Sequence, residues 1–166
     1  MRRTTRILGL AAFVALVPAA PAEEPEALER FEGLVIGMTE AELLAAYPDG
    51  TLSFADRNFS IEPRLGDFMR DGERFEGGLM VVELRPEIAD EREVCLAFHD
   101  EVSPTLVERY GEPDSGSRAL ESDWAVIESN WEMSGNGIIG ILARFVDGHG
   151  KCDAKIAFRG SNMERL

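Results

Sequence analysis

The pattern that most constrains the fold is the alternation of apolar and polar residues in the last third of the chain. In residues 152–159 every second side chain is apolar, which is typical of a β-strand that buries one face. Two apolar runs precede it, and the glycine-containing segments between the three runs are short enough for hairpin turns. We therefore predict an antiparallel sheet. Its strands are 124–132, 138–146 and 152–159, and its turns are 134–137 and 147–150.

Two short helices are predicted upstream of this sheet. Thr39 and Glu42 form a capping box at the start of the first helix. Ser103 is a favourable N-cap and Pro104 suits the first turn, so these two residues predict the start of the second helix. The apolar faces of the two helices repeat at a constant offset of 63 residues. They consist of Leu43, Leu44 and Tyr47 in the first helix and of Leu106, Val107 and Tyr110 in the second.

These elements predict an α+β fold, in which short helices pack on an antiparallel sheet within a single domain of residues 33–166. The offset between the helices suggests two pseudo-repeats of a helix and a β-meander, at 33–98 and 99–160. We further predict a strand at 94–98. The segment 63–78 contains four glycines and a proline among charged residues, which predicts a long loop.

The first 22 residues have the three zones of a secretory signal peptide. Three arginines precede an apolar run at 7–17 that is too short to span a bilayer, and Ala20-Pro21-Ala22 is a cleavage pattern. We predict cleavage after Ala22, an acidic leader at 23–32, and a periplasmic or secreted protein. Cleavage removes three bases and no acid, so the mature chain has 144 residues, 14 bases, 31 acids and a formal charge of −17.

Export makes a disulfide the expected state of the two cysteines. Cys95 and Cys152 are the only cysteines, and both lie in the mature chain. In an oxidising compartment such a pair favours a cross-link, and each lies in an apolar run that predicts a strand. Two free buried thiols are the alternative. A catalytic redox pair would have the C-x-x-C spacing, which this chain lacks.

The acidic composition argues against two classes of partner. Nucleic acids and anionic membranes both attract Lys and Arg, whereas the full chain carries a formal charge of −14. No segment of the mature chain is apolar and long enough to cross a bilayer. The sequence has no phosphate-binding or dinucleotide-binding loop and no zinc motif, so no cofactor or metal is predicted.

The densest group of titratable residues is His99-Asp100-Glu101, where an imidazole beside carboxylates could serve acid–base chemistry. The alternative is a solvated loop before a helix, where the helix dipole favours acids. Trp124 and Trp131 could mark a binding surface. Their spacing places them on opposite faces of a strand, so one is expected in the core. The acidic segment 67–76 offers carboxylates to a cation, but without the spacing of an EF-hand.

Two fragments of the sequence resemble a known group of proteins. Gly37-Met38-Thr39-x-x-Glu42-Leu43 resembles the helix start of small bacterial envelope domains. These include the small lipoprotein of the outer-membrane barrel-assembly machinery and the repeats of the beta-lactamase-inhibitor protein. The run Tyr-Gly-Glu-Pro-Asp at 110–114, followed by Trp124, resembles a second part of the same pattern. The resemblance implies short helices on an antiparallel sheet and a non-catalytic, protein-binding role.

The leading functional prediction is an exported, non-enzymatic module that binds another envelope protein. It depends on the absence of catalytic motifs, the acidic composition and the resemblance. Two alternatives stay open: a periplasmic hydrolase that uses His99 with a nearby carboxylate, and a cation-binding envelope protein. The hydrolase requires His99 to face a cleft, within hydrogen-bond reach of a nucleophile or a base.

Overall fold

An antiparallel β-sheet dominates the computed structural model of the protein, which describes residues 30–70, 72–133, 137–160 and 163–165. Strands hold 57% of these residues and helices hold 20%. In chain order the elements are β1 (Arg30–Phe31), β2 (Leu34–Val35), α1 (Glu40–Ala46), β3 (Thr51–Phe54), β4 (Arg57–Arg70), β5 (Glu73–Pro86), α2 (Arg92–Tyr110), β6 (Ser115–Leu120), β7 (Trp124–Met133), β8 (Gly137–Val146), β9 (Lys151–Gly160) and β10 (Glu164–Arg165).

The main sheet contains eight strands, and its paired strands are antiparallel. Along the sheet the order is β10-β4-β5-β9-β8-β7-β6, and β3 pairs with β4. The chain runs through one meander from β3 to β5, crosses over through α2, and returns through a second meander from β6 to β9. The last strand of the second meander pairs with β5, so the two meanders share one sheet. β1 and β2 form a separate two-stranded ribbon.

The predicted α+β fold of short helices with two pseudo-repeats is wrong. The protein is mostly β, and its two helices differ, because α1 has 7 residues and α2 has 19. The predicted boundary between the repeats 33–98 and 99–160 falls in the middle of α2. α2 packs on β7, β8 and β9, whereas α1 contacts β5. The common offset of the two apolar faces therefore does not reflect a repeated architecture.

Residues 94–98 are helical, although their β-branched and aromatic side chains predicted a strand. α2 begins at Arg92, well before the predicted cap Ser103, and Pro104 lies inside the helix. An internal proline costs about 3 kcal/mol, since it lacks the N–H and its ring crowds the preceding turn. One helical face compensates for this cost, because each large apolar side chain that it buries contributes about 2 kcal/mol. This buried face consists of Cys95, Phe98, Val102 and Leu106.

The predicted loop at 63–78 is instead the paired end of a long hairpin. β4 and β5 each have 14 residues and pair along nearly their whole length. Register shifts beside Arg64 and Gly66 accommodate unpaired residues, so the pairing continues through the glycine-rich part. Phe68 is fully buried and stacks on Phe75 across the two strands. Aromatic packing therefore anchors the far end of the hairpin.

The predicted strands of the C-terminal third are confirmed, and they divide the sheet into two faces. We call the side on which α2 packs the covered face, and the opposite side the open face. In β7, β8 and β9 the covered-face side chains are mostly buried, whereas the open-face side chains are half-buried or exposed. The turn predicted at 134–137 falls mostly outside the described residues. The buried residues are Ala125, Ile127, Ser129, Trp131, Gly137, Ile139, Ile141, Ala143, Phe145, Ala154, Ile156 and Phe158.

Cys95 and Cys152 form the predicted disulfide, with their Cα atoms 5.6 Å apart. The bond joins α2 to β9 rather than two strands, because Cys95 belongs to the helix. It closes a separation of 57 residues and fixes the first turns of α2 over the sheet.

The N-terminal part of the described chain begins in the core. Phe31 is fully buried, so the acidic leader predicted for 23–32 ends before this residue. The predicted signal peptide, 1–22, lies outside the described residues.

The capping box is confirmed: the N–H of Thr39 donates to Oε2 of Glu42 at 2.8 Å, and the N–H of Glu42 donates to Oγ1 of Thr39 at 3.3 Å. No helix in the described part of the chain is long and apolar enough to span a membrane.

Candidate functional site

The first candidate site is a recess between α2 and the end of the sheet at β6. It has a volume of about 300 Å³ and is lined by His99, residues 116–118 of β6 and residues 127–129 of β7. The imidazole adjoins the buried face of α2 and is only 8% exposed. Gly116 borders the recess closely, because a Cβ at this position would lie 2.7 Å from the carbonyl oxygen of Glu128 and 3.3 Å from Oγ of Ser129.

The ring of His99 connects a hydroxyl group with a carboxylate. Its Nε2 lies 3.0 Å from Oγ of Ser129, and its Nδ1 lies 3.4 Å from Oδ1 of Asp100. An ionised carboxylate only accepts hydrogen bonds, so this arrangement favours the tautomer that carries its proton on Nδ1. The hydroxyl of Ser129 then donates to Nε2. Nη1 of Arg118 lies 3.4 Å from the same Asp100 oxygen and completes the group.

The pKa of His99 lies below the ordinary value, and burial is the largest cause. The hydrogen bond and the charge of Asp100 act in the opposite direction, whereas the positive charge of Arg118 lowers the pKa further. His99 is therefore neutral at pH 7. A neutral imidazole can accept a proton or a hydrogen bond from Ser129, which a protonated ring cannot do.

The structure brings together only two of the three residues in the predicted His99-Asp100-Glu101 cluster. All three lie within α2 rather than in a loop before a helix. Glu101 is exposed and pairs with Arg57 of β4, away from the recess. The predicted partnership of His99 with a carboxylate therefore holds for Asp100 alone.

The two tryptophans differ as expected from their spacing. Trp131 is 1% exposed, and its Nε1 donates to the carbonyl oxygen of Gly111 at 2.8 Å. It is a core residue and does not mark a binding surface. Trp124 is 39% exposed at the start of β7.

Sequence reasoning missed Ser129, Gly116 and Arg118, which complete the recess. The alternation of β7 carries a signal for Ser129, because it occupies an inward position between Ile127 and Trp131. A serine in such a row must find a hydrogen-bond partner inside the protein. Its partner, the imidazole, comes from a segment that was predicted as a strand end, so their contact could not be inferred.

The second candidate site is the free edge of β6. This strand pairs with β7 in a continuous register, and no described strand pairs with its other side. At the turn to β7, the N–H of Glu121 donates to the carbonyl oxygen of Trp124 at 2.9 Å. Hydrogen-bonding direction alternates along an antiparallel strand. The N–H and C=O groups of Gly116, Arg118 and Leu120 therefore point away from β7.

The β6 edge carries little of the protection that natural edge strands usually have. Such edges commonly carry charged side chains, above all lysine, or proline or bulges, or are covered by another segment. β6 contains neither Pro nor Lys, its one charged side chain, Arg118, pairs with Asp100, and five of its six residues are exposed. Leu120 at its end is 52% exposed. The edge can therefore accept another strand.

Acidic residues flank the β6 edge on both sides. The nearby bases are already engaged: Arg118 contacts Asp100, and Arg92 binds Asp147 at 2.5 Å and the carbonyl oxygen of Ser122 at 3.1 Å. The edge consequently presents a negative field to an approaching chain. The exposed acids are Glu112 and Asp114 before β6, and Glu121 and Asp123 after it.

An ion network crosses the open face from β4 to β8. At its centre, Glu83 is 7% exposed and accepts hydrogen bonds from Arg64 at 3.1 Å, Arg85 at 2.5 Å and Lys155 at 3.0 Å. Burial opposes ionisation of Glu83, but the hydrogen bonds from Lys155 and Arg85 outweigh it, so its pKa lies below the ordinary value. These charges satisfy one another and support the sheet. The network consists of Glu62, Arg64, Glu83, Arg85, Arg144, Asp153 and Lys155.

The acidic segment 67–76, considered for a cation, belongs mainly to the β4–β5 hairpin. Oδ1 of Asp67 accepts a hydrogen bond from the N–H of Gly77 at 2.8 Å, and Asp71 lies outside the described residues. Among the residues that the structure describes, no group of three or more His, Cys, Asp or Glu is placed to hold a metal ion.

Comparison with known proteins identifies no relative. No family model, no curated protein and no solved structure matches the chain. The resemblance of residues 37–43 to envelope domains therefore stays a prediction.

Proposed function

We propose that this protein is an exported, non-enzymatic binding module that takes up an extended, basic segment of a partner envelope protein along β6. The observation that carries the proposal is the β6 edge, which is regular, exposed and unpaired among the described residues. An edge of this kind selects its ligand by main-chain chemistry, because only another extended chain can match its alternating N–H and C=O groups.

The added strand would pair with the outward groups of Gly116, Arg118 and Leu120. Its backbone would lie about 4.8 Å from β6, as in any sheet. Its side chains would alternate between the open face and the covered face, and those on the covered face would pass beside the recess and the exposed Leu120. Main-chain pairing would supply affinity, and these neighbouring surfaces would supply specificity.

The acidic surroundings of β6 favour a basic ligand. Four exposed acids flank the strand, and the mature chain carries a formal charge of −17. Complementary charge mainly raises the association rate and excludes acidic competitors.

Two observations support export. The first 22 residues have the composition of a signal peptide, with cleavage expected after Ala22. The Cys95–Cys152 disulfide is of the kind that persists in oxidising compartments such as the periplasm or the extracellular space.

A matched pair of variants separates strand addition from general charge attraction. Arg118→Pro removes one outward N–H, and Arg118→Val keeps it, while both remove the same positive charge. The probe is a capped octapeptide of alternating Lys and Thr, and the measurement is fluorescence anisotropy of the labelled peptide titrated with mature protein. We expect Arg118→Val to bind as well as the parent or better, and Arg118→Pro to bind at least tenfold more weakly, which corresponds to about 1.4 kcal/mol.

Two results would contradict strand addition. Equal binding by both variants would mean that charge alone attracts the peptide. Equal binding of the Lys–Thr peptide and a Glu–Thr peptide would remove the inferred basic character of the ligand. Circular dichroism of both variants controls for folding, and an edge strand tolerates a proline whose N–H would face solvent.

The contact between His99 and Ser129 favours a second candidate function, acyl hydrolysis in the recess. A neutral imidazole 3.0 Å from a hydroxyl, with Asp100 on its other nitrogen, has the connectivity of a nucleophile, base and orienting acid. This candidate predicts that a fluorophosphonate probe labels the mature protein and that Ser129→Ala and His99→Gln abolish the labelling. A folded parent protein that stays unlabelled would exclude it, and the contact would then serve only to satisfy a buried histidine.

A further inference from the structure

The central strand β8 is apolar on both of its faces, which a solvated sheet surface does not require. On the open face it presents Ile138, Gly140, Leu142 and Val146, and only Arg144 is charged. Antiparallel sheets with one face in water normally alternate between apolar and polar residues. The apolar side chains are half-buried rather than exposed, and a shallow depression of about 140 Å³ lies over the glycine. An apolar strip of this kind between charged flanks is typical of an interface.

At two positions along β8, an acid of β7 lies on one side of the strand and a base of β9 lies on the other. Glu128 of β7 and Lys155 of β9 lie level with Leu142, on opposite sides of it. Four residues along β8, level with Ile138, Glu132 of β7 and Arg159 of β9 stand in the same relation across the strand. Glu132 and Arg159 are both exposed, and neither has an ion-pair partner among the described residues.

We propose that the open face binds a second copy of this chain, with β8 packed on its counterpart around a two-fold axis parallel to the strands. Such an axis places β7 of each copy over β9 of the other. It leaves the position of every residue along the strand direction unchanged. Glu128 then faces the partner's Lys155, and Glu132 faces the partner's Arg159. A two-fold axis across the strands would instead oppose acid to acid, so the charge pattern selects the first arrangement.

The size of the open face suits a stable dimer. On the open face, β7, β8 and β9 contribute ten residues each, β6 contributes six, and β5 pairs with β9 over residues 81–84. At about 4.8 Å between strands and about 3.3 Å per residue, these strands give a surface of about 630 Å² on each copy. This area falls within the range that a standard protein interface buries on each partner, about 600–1,000 Å². The two Arg144 side chains approach the axis, but each guanidinium already pairs with Asp153 of its own chain at 2.8 Å. Aligned sheet packing tolerates this geometry, since the strand directions of the two copies stay within about 30° of each other.

The dimer interface is independent of the proposed binding of a basic segment. β6 lies at one end of the sheet, and its unpaired groups point along the plane of the sheet rather than from the open face. Two copies joined through their open faces would therefore leave both β6 edges accessible.

A charge-exchange experiment tests the arrangement. Mature protein, Glu132→Arg, Arg159→Glu and an equimolar mixture of the two variants are compared by sedimentation equilibrium at physiological ionic strength. The parent should be a dimer, and each single variant should dissociate at least tenfold more readily, because two like-charged contacts replace two attractive ones. The mixture should restore association, since each heterodimer contains one native and one exchanged pair of opposite charge.

Three outcomes would overturn the proposal. The parent could be monomeric at every soluble concentration, the single variants could dimerise as strongly as the parent, or the mixture could fail to associate. A dimer that Arg118→Pro disrupts but Glu132→Arg does not would place the contact at β6 instead. Both substituted side chains are exposed, and matching thermal melts of the variants would exclude unfolding as the cause of dissociation.

Discussion

Glu83 is the central acid of the ion network on the open face. A carboxylate that is 7% exposed would be unfavourable alone, but here it receives hydrogen bonds from three basic side chains of β4, β5 and β9. Its removal leaves Arg85 and Lys155 without their shared acceptor. Because both bases are only partly exposed, they cannot fully recover their hydration.

Glu83→Gln should lower the free energy of unfolding by about 2 kcal/mol at pH 7, as expected for charged hydrogen bonds that are lost at a buried site. The native pKa of Glu83 lies below its unfolded value, so its contribution is present above about pH 4.5 and is lost as the pH falls through the native pKa. Urea unfolding at a series of pH values measures both effects. Glu62→Gln, at an exposed member of the network, should change stability by less than about 0.5 kcal/mol.

His99 makes the stability of the protein depend on pH near neutrality. Its native pKa lies below the unfolded value near 6.5, so its contribution to stability is present above pH 6.5 and decreases as the pH falls towards the native pKa. The melting temperature of the parent should therefore fall more steeply between pH 7.5 and 5.5 than that of His99→Gln. Parallel curves for the two proteins would mean that the imidazole is protonated freely in the folded state.

Among the secondary-structure elements, α2 shows why its N-terminal half was predicted wrongly. Val94 and Phe98 have side chains typical of strands, and Ser103-Pro104 resembles a helix start. The decisive signal is longer in range, because an apolar row with spacings of three, four and four residues runs through that apparent boundary. This row consists of Cys95, Phe98, Val102 and Leu106. Burial of this face against the sheet outweighs the local preference of residues such as Val94 and Phe98 for a strand. A short window of sequence shows only that local preference.

The disulfide between α2 and β9 was predicted from the number of cysteines and the expected oxidising compartment. Because it joins α2 to β9 across 57 residues, loop-closure entropy implies a contribution of about 4 kcal/mol. The double variant Cys95→Ser with Cys152→Ser should show a lower urea midpoint with a free-energy loss of that order. An unchanged midpoint would show that packing of the helix alone fixes it on the sheet.

The β4–β5 hairpin and the recess mark the limit of prediction from this sequence. The four glycines of 63–78 predict a loop, but Gly66, Gly77 and Gly78 lie in strands whose pairing includes bulges, and Gly72 lies in the turn between these strands. The C-terminal strands, the Thr39 cap and the cysteine pair were predictable, since each leaves a local or countable signal. The contact of His99 with Ser129 joins two elements 30 residues apart, and no local pattern encodes it.

At the scale of the whole molecule, the acidic charge is unevenly distributed. The flanks of β6 are acidic, which favours a basic ligand. The open face is nearly balanced, so a second copy meets little local repulsion there, and salt screens the remaining charge over about 8 Å. Across residues 60–64 of β4, residues 81–85 of β5 and the strands β7, β8 and β9, the open-face charges are Arg64, Arg85, Arg144, Lys151, Lys155 and Arg159 against Glu62, Glu83, Glu128, Glu132 and Asp153.

Amide hydrogen exchange along β6, measured by NMR with and without the Lys–Thr peptide, tests strand addition most directly. In the free protein, the outward amides of Gly116, Arg118 and Leu120 should exchange fast, and those of Ser117 and Ala119 should be protected by β7. Peptide at about ten times its Kd should slow the outward amides by about tenfold. Outward amides that are already protected in the free protein, or that the bound peptide leaves unchanged, would contradict strand addition at β6.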